Sequence, residues 1–353
     1  MRVKAYGAKA ANKPLEYFEF ERREPSSYDV EFEVMYCGVC HSDIHTTRDE
    51  WHDWGPAKYP SVVGHEIVGK VTRVGEKVTK FKPGDLVGVG CMVNSCRTCR
   101  NCKKGLEQYC ENGSTGTYND IDPIDGKVTK GGYSSHQVVQ ERFVMKIPKG
   151  MDLAKAAPLF CAGITTYSPL RHWKVGKGMR VGIIGLGGLG HMGLKYAKAF
   201  GAKTFVITTS AKKAKDAKKY GADGMVLMSD KKQREANKEK FDFLLNTIPV
   251  AHDVHPYVDL LTSDGVMVIV GAITELFDGF HGHSLISKRR SIAGSVIGGI
   301  PETEEVLNFS KKHNIYPDIE IIKMKDINKA YDTMVKKGIS HRFVIDVKSS
   351  FKS

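Results

Sequence analysis

Apolar and polar positions follow two different patterns along this chain, and the change falls near residue 150. Before it, apolar runs are short and broken by Gly and Pro. Val30 to Met35 alternates acidic and apolar, the pattern of a strand with one wet face. Ile67 to Gly75, Phe81 to Val89, Gln137 to Gln140 and Phe143 to Pro148 read as further short strands. Short strands punctuated by turn residues predict a small β-rich domain of barrel type. Residues 51–60, Trp-His-Asp-Trp-Gly-Pro-Ala-Lys-Tyr-Pro, form an aromatic, Pro-broken loop that either walls a pocket or packs on the surface. Residues 111–135 read as a long loop.

After residue 150 the pattern becomes strand–helix–strand. Residues 154–167 are Ala-rich and helix-like. Arg180 to Ile184 is a buried strand, residues 191–200 a helix, and Lys203 to Thr209 a second strand. Gly224 to Met228, Phe241 to Asn246, Gly265 to Val270 and Ser291 to Ser295 follow as further strands. Near-continuous apolar strands fit a parallel sheet covered on both faces. Helices are expected near 302–313 and 326–337, and a closing strand at Arg342 to Val347. This tail is expected to return to the first domain. There is no internal repeat and no low-complexity stretch.

The totals exclude several classes. At 353 residues the chain has room for two domains. A hydrophobic share of 41% with 26% charged residues fits an ordinary globular protein. No apolar run approaches the roughly 18 residues of a membrane span. The first residues lack the apolar core of a signal peptide, so a cytoplasmic location is expected. The net charge of +13 raises nucleic acid as a partner. The lysines are scattered, however, and the clusters Lys212-Lys213, Lys231-Lys232 and Lys288-Arg289-Arg290 are not interleaved with aromatics. The expected reading is a solvated basic surface, with neither nucleic acid nor membrane as partner.

Candidate chemistry is concentrated in a few segments. Cys37-Gly-Val-Cys40-His-Ser-Asp-Ile-His45 packs a thiol, a hydroxyl, a carboxylate and imidazoles together. Cys40 can bind zinc as a thiolate. Ser42 could pass a proton, Asp43 could orient a ligating histidine, and His45 could carry the proton to solvent. His65 and Glu66 add imidazole and carboxylate, and Cys161 adds a distant sulfur. These three segments are expected to close on one zinc with a vacant place for substrate. Cys96, Cys99, Cys102 and Cys110, spaced x2, x2, x7, can wrap a second, closed tetrahedral zinc. An iron–sulfur cluster is the alternative, but the Cys-Pro that usually follows such runs is absent. Cys37 and Cys91 stay unassigned and read as buried free thiols.

Gly185-Leu-Gly187-Gly188-Leu189-Gly190 sits between a strand and a helix, the context that makes G-x-G-x-x-G a dinucleotide fingerprint. Gly185 allows the tight turn, Gly187 the close approach of pyrophosphate, and Gly190 close helix–strand packing. NAD enzymes usually place an acid at the end of the second strand. This chain reads Thr208-Thr209-Ser210-Ala-Lys-Lys213, with its first acid at Asp216. Hydroxyls and a lysine suit a 2′-phosphate, so NADP(H) is expected. The plainer alternative is an ordinary helix cap and first turn.

Together, Gly-Val-Cys40-His-Ser-Asp, Gly-His65-Glu66, the Cys96/99/102/110 lobe, Cys161-Ala-Gly-Ile-Thr-Thr-Tyr and the glycine fingerprint resemble the zinc-dependent medium-chain alcohol dehydrogenases. Within them the chain is most similar to the cinnamyl alcohol dehydrogenase group. The motifs span nearly the whole chain in the family's order. The resemblance implies an α/β architecture with a GroES-like β-rich catalytic domain plus a Rossmann doubly wound parallel-sheet domain. The first would hold residues 1–150 and 296–353, with a structural-zinc lobe at 91–111. The second, NADP-binding, would hold 151–295. Catalytic zinc would be held by Cys40, His65 and Cys161, with Glu66 a close or alternating fourth ligand. Structural zinc would be held by Cys96, Cys99, Cys102 and Cys110.

The resemblance also assigns Ser42 and His45 to a proton relay through a cofactor ribose hydroxyl, and Asp43 to the zinc-bound histidine. It puts His41 and Arg342 near the pyrophosphate and Thr165, Val270 and Ser295 against the cofactor. Thr208, Thr209 and Lys213 fall at the 2′-phosphate. The implied activity is hydride transfer between NADP(H) and a primary alcohol or aldehyde, aromatic or broad in range, by a homodimer. A polyol dehydrogenase, or a zinc-less quinone reductase-like protein on the same fold, is the alternative. The plant lignin enzymes carry an indole in the loop where this chain reads Gly116-Thr-Tyr118-Asn, so their substrate range does not carry over. His252, His255, His281, His283 and His313 read as structural or exposed.

Overall fold

The computed structural model describes residues 1–271, 281–337 (the backbone alone at 337) and 339–352. The chain divides into two compact units, Met1–Ile164 with Gly298–Ser353, and Thr165–Ile297.

The first unit is built on a seven-stranded sheet whose centre is Asp29–Gly38. Ile67–Val74 lies antiparallel along one edge of that strand. Along the other edge His136–Gln140 covers its first half and Arg342–Asp346 its end. Paired on both edges, the strand is far drier than its acidic alternation predicts. Val30, Phe32 and Val34 are fully buried, and Glu31 is buried with them. Glu31 is tolerated there because Thr72 Oγ1 and Arg73 Nε each donate to its carboxylate at 2.9 Å. The closing strand of the tail therefore completes the central sheet of this unit.

The composition shift near residue 150 does not mark the division between the units. Residues 151–164 stay with the first, and Phe160 shows why. It lies over Gly88, where a Cβ would come within 2.1 Å of the Phe160 ring. The segment is also not one helix. Leu153–Ala156 gives way to a 3₁₀ turn at Ala157–Phe160 that carries Pro158, and a longer helix starts only at Ala162. Cys161 falls in the break, with φ −131° and ψ −70°. That non-helical backbone takes its sulfur off the helix register.

Among its described residues the second unit carries six parallel strands. Their spatial order is Gly224–Leu227, Lys203–Thr208, Arg180–Ile184, Phe241–Asn246, Leu261–Ile269 and Ser291–Gly294. This is the doubly wound dinucleotide-binding order, with its reversal between Arg180–Ile184 and Phe241–Asn246. Ile207, Leu244, Leu261 and Met267 are fully buried in its core, as strands covered on both faces require. The turn after Arg180–Ile184 depends on two glycines. Gly185 has φ +84°. A Cβ on Gly190 would sit 2.0 Å from the Gly185 carbonyl oxygen. Among the described residues, no helix is long and apolar enough to cross a membrane.

Candidate active site

Cys40 caps the helix His41–Thr47 immediately after the central strand. Asp43, one turn in, organises what lies around it. Its Oδ2 accepts from the Cys40 N–H at 2.9 Å and from the Tyr133 hydroxyl at 3.2 Å. Its Oδ1 accepts from the Gly64 N–H at 3.1 Å and lies 3.3 Å from His65 Nδ1. The carboxylate thus fixes the His65 ring and keeps the proton on Nδ1. That leaves Nε2 as the metal-facing atom, and it is buried with no hydrogen-bond partner.

Glu66 follows. Gly38 makes room for it, since a Cβ there would lie 1.8 Å from Glu66 Oε2. Gly64 (φ +102°) has no room for a side chain either, with the Tyr133 ring and Cys37 Sγ 2.6 and 2.8 Å from where its Cβ would be. One Glu66 oxygen pairs with the Arg342 guanidinium and the other has no partner. Burial pushes the Glu66 carboxyl up to about 7, with Arg342 opposing. The Cys161 sulfur stands 4.0 Å from that of Cys40. Its thiol, donating to Cys40, is the main cause that holds Cys40 well below the usual thiol range.

The donor atoms of Cys40, His65, Glu66 and Cys161 all lie within 4.8 Å of one another, and all four residues are buried. A tetrahedral zinc with Zn–S near 2.3 Å sets two sulfurs about 3.8 Å apart. The observed spacing and the two orphaned atoms fit that ion.

Cys96, Cys99, Cys102 and Cys110 form the second such group. Backbone N–H groups point at the sulfurs, Cys99 to Cys96 at 3.3 Å, Cys102 to Cys99 at 3.4 Å and Cys96 to Cys110 at 3.4 Å. Such bonds favour thiolates, and Cys96 is pushed down to about 5, its largest cause being the Cys99 N–H. With four sulfurs the shell is closed.

In the second unit, Gly185, Thr208, Val270 and Ser295 each follow or end a strand of the parallel sheet at its carboxyl edge, where such sheets bind dinucleotides. Gly187, Gly188, Leu189 and Gly190 open the helix Gly190–Ala199, and Thr209, Ser210 and Lys213 follow Thr208. Asp216 is 4.0 Å from Lys213 Nζ, so the lysine has an acid neighbour that the strand end lacks. Thr165 is buried at the start of the unit. His41 and Arg342 belong to the first unit. Burial lowers the His41 pKa, and Arg342 is held against Glu66.

Residues 26–149 match the alcohol dehydrogenase GroES-like domain, and residues 188–312 match the zinc-binding dehydrogenase domain. The chain is 50% identical over 347 residues to aldehyde reductase YahK of Escherichia coli, covering 98% of each. This chain belongs to the zinc-dependent medium-chain alcohol dehydrogenases. Two solved structures place it beside the cinnamyl alcohol dehydrogenase group of that family. The cinnamyl alcohol dehydrogenase of Sorghum bicolor matches with a TM-score of 0.95 at 39% identity, covering 100% of this chain and 99% of that one. The CAD of Helicobacter pylori, complexed with NADP(H), matches at 0.92 and 40%, covering 99% of each.

The contacts of three residues around these sites were not anticipated from the sequence. Glu50 Oε2 lies 2.5 Å from His45 Nδ1, and the His45 ring stacks on Trp51 at 4.9 Å. His45 Nε2 is buried without a partner. The only sequence signal was an acid five residues after the histidine. Tyr118 puts its hydroxyl 3.2 Å from His65 Nδ1, so the loop that lacks an indole still contributes a ring to the centre. Cys91 is only partly buried and adjoins Cys161 and His65, which corrects its reading as an ordinary buried thiol. Cys37 is buried as expected, and burial pushes its thiol up. A cavity of about 350 Å³ opens beside His45, lined by Trp51, Trp54, Lys58 and Asn119 among others.

Proposed function

We propose that this protein is an NADP(H)-dependent alcohol dehydrogenase and aldehyde reductase acting on primary alcohols and aldehydes, with aromatic or broadly varied side chains. The observation that carries it is the convergence of Cys40, His65, Glu66 and Cys161, with the unpartnered His65 Nε2 and Glu66 Oε2 among the donors. When bound, zinc supplies the Lewis acidity that acidifies a substrate hydroxyl or polarises a carbonyl, and the nicotinamide gives or takes hydride.

The chain's own groups do the rest. Cys40, His65 and Cys161 hold the metal, with Glu66 as a close or alternating fourth donor. Asp43 keeps the His65 proton on Nδ1. Ser42, whose Oγ is 3.6 Å from Cys40 Sγ, takes the proton the substrate releases. His45 carries it outward, its Nδ1 occupied by Glu50 so that Nε2 is the atom that accepts. Cys96, Cys99, Cys102 and Cys110 hold the structural zinc. Gly185 to Gly190 receive the pyrophosphate. Thr165, Val270 and Ser295 line the nicotinamide half, and Thr208, Thr209, Ser210 and Lys213 take the 2′-phosphate.

The absence of an acid at the end of Lys203–Thr208 and the NADP(H) complex of the Helicobacter pylori relative support the cofactor choice. The name of the Escherichia coli relative supports aldehyde reduction. In this reading the enzyme is a cytoplasmic homodimer. The edge strand Ser291–Gly294 ends the parallel sheet beside the exposed Val296, which supports pairing with a second copy. The test is metal analysis with steady-state rates for benzaldehyde, cinnamaldehyde and a polyol with NADPH and NADH. Zinc with NADPH-linked aldehyde reduction is expected. Metal-free protein inert with both cofactors overturns the reading.

A further inference from the structure

Three thiols meet at the metal centre, and only two are among its converging donors. Cys40 and Cys161 are buried ligands in the proposed reading, whereas Cys91 is partly exposed and stands outside the four-donor group. The backbone brings Cys91 to Cys161. Gly90 and Phe160, the residues before them, approach so closely that a Cβ on Gly90 would lie 2.9 Å from the Phe160 carbonyl oxygen. Cys91 Sγ itself lies 4.0 Å from that oxygen and adjoins the Cys161 thiol. A thiol outside the metal's donor set, on a partly exposed residue and next to a ligand sulfur, is the arrangement in which a first oxidation can be resolved by a neighbour.

We propose that Cys91 is a hydroperoxide-sensitive thiol that forms a disulfide with Cys161 and so unloads the catalytic metal. The inference rests on the zinc assignment above. The Cys91 sulfur gives an electron pair to the peroxide, the O–O bond breaks, and a sulfenic acid and one water are formed. The Cys161 thiolate then attacks the Cys91 sulfur, the S–O bond breaks, and the departing hydroxide takes a proton from solvent to become the second water. Both sulfurs are oxidised by one electron each and the peroxide is reduced to two waters. Cys161 is thereby lost as a thiolate donor, and the metal is left with Cys40, His65 and Glu66.

The test treats the zinc-loaded enzyme with hydrogen peroxide. Released zinc is followed with a chromophoric chelator, and peptides are mapped without reduction. A peptide joining Cys91 to Cys161, formed together with zinc release and reversed by dithiothreitol plus zinc, is the expected result. Cys91→Ser, and Cys91→Ala as a second variant, should release zinc at least several-fold more slowly. A Cys40–Cys161 link, links confined to the Cys96–Cys110 lobe, or unchanged release in both variants overturns the proposal. If neither variant holds zinc as purified, the peptide map of the unaltered enzyme decides. Zinc content before oxidation tests the metal assignment separately, so the two failures are distinguishable.

Discussion

The guanidinium of Arg342 is hydrogen-bonded to the carboxylate of Glu66 across a separation of 276 residues, with both groups buried. The pair ties the chain's closing strand to the loop that carries His65. Removing one partner strands the other charge in a dry site, which costs about 3–5 kcal/mol. Arg342→Met is therefore expected to lower the stability of the apo-protein by that order in denaturant titration. Adding Glu66→Gln should recover part of the loss. Equal stability of Arg342→Met and the parent would show that the pair carries none of it.

Asp43 holds the His65 ring from behind. Asp43→Asn keeps the size but removes the charge that fixes the Nδ1 proton. Groups in this position typically contribute about 10–100-fold to metal affinity. Chelator competition should show a zinc dissociation constant raised by that factor, with the Cys96–Cys110 zinc retained.

Gly190→Ala puts a methyl group 2.0 Å from the Gly185 carbonyl oxygen, so the dinucleotide turn must open. Overpacking of about 1–3 kcal/mol corresponds to roughly tenfold or more in affinity. Fluorescence titration should find NADPH binding weakened by that amount while zinc content stays unchanged.

Lys213→Glu reverses the charge beside the hydroxyls of Thr208, Thr209 and Ser210. A hydrogen bond to a charged group is worth about 1.5–3 kcal/mol. The ratio of kcat/KM for NADPH over NADH is accordingly expected to fall by about 10–100-fold. An unchanged ratio would place the 2′-phosphate elsewhere.

Asp29 anchors the start of the central strand. Burial disfavours its charge, but the bonds from Arg23 and Ser26 prevail and hold its carboxyl below the usual range. A carboxylate whose pKa is lower in the folded state adds stability above its unfolded value of about 3.9. That contribution is lost as pH falls through the folded value. The melting-temperature gap between the parent and Asp29→Asn should thus be full at pH 7 and narrow below about pH 4. A gap independent of pH would mean that shape alone, not charge, matters at this position.

The order of chemistry along the chain was legible because each motif is local. The glycine turn needs neighbours only a few residues apart, since the constraint is a positive φ and one short helix–strand distance. The Cys96–Cys110 lobe is likewise contained in fifteen residues that wrap on themselves. The parallel strands declared themselves by apolar runs that no half-wet strand could carry. Where the alternation of Val30 to Met35 misled, the cause was partners: Thr72, Arg73 and a second edge strand from the far end of the chain dried a strand whose acids suggested water.

What the amino-acid order determined by itself is therefore the family, the two kinds of sheet, the Cys96–Cys110 group and the dinucleotide fingerprint. Each of these depends on residue type at short spacing. Only the tertiary structure decided that Arg342 meets Glu66, that Glu50 reaches His45, and that residues 151–164 stay with the first unit. It alone brought Cys91 against Cys161. Those contacts depend on which strand edges and helix breaks lie beside one another in space, and burial there depends on packing between segments that spacing along the chain does not encode.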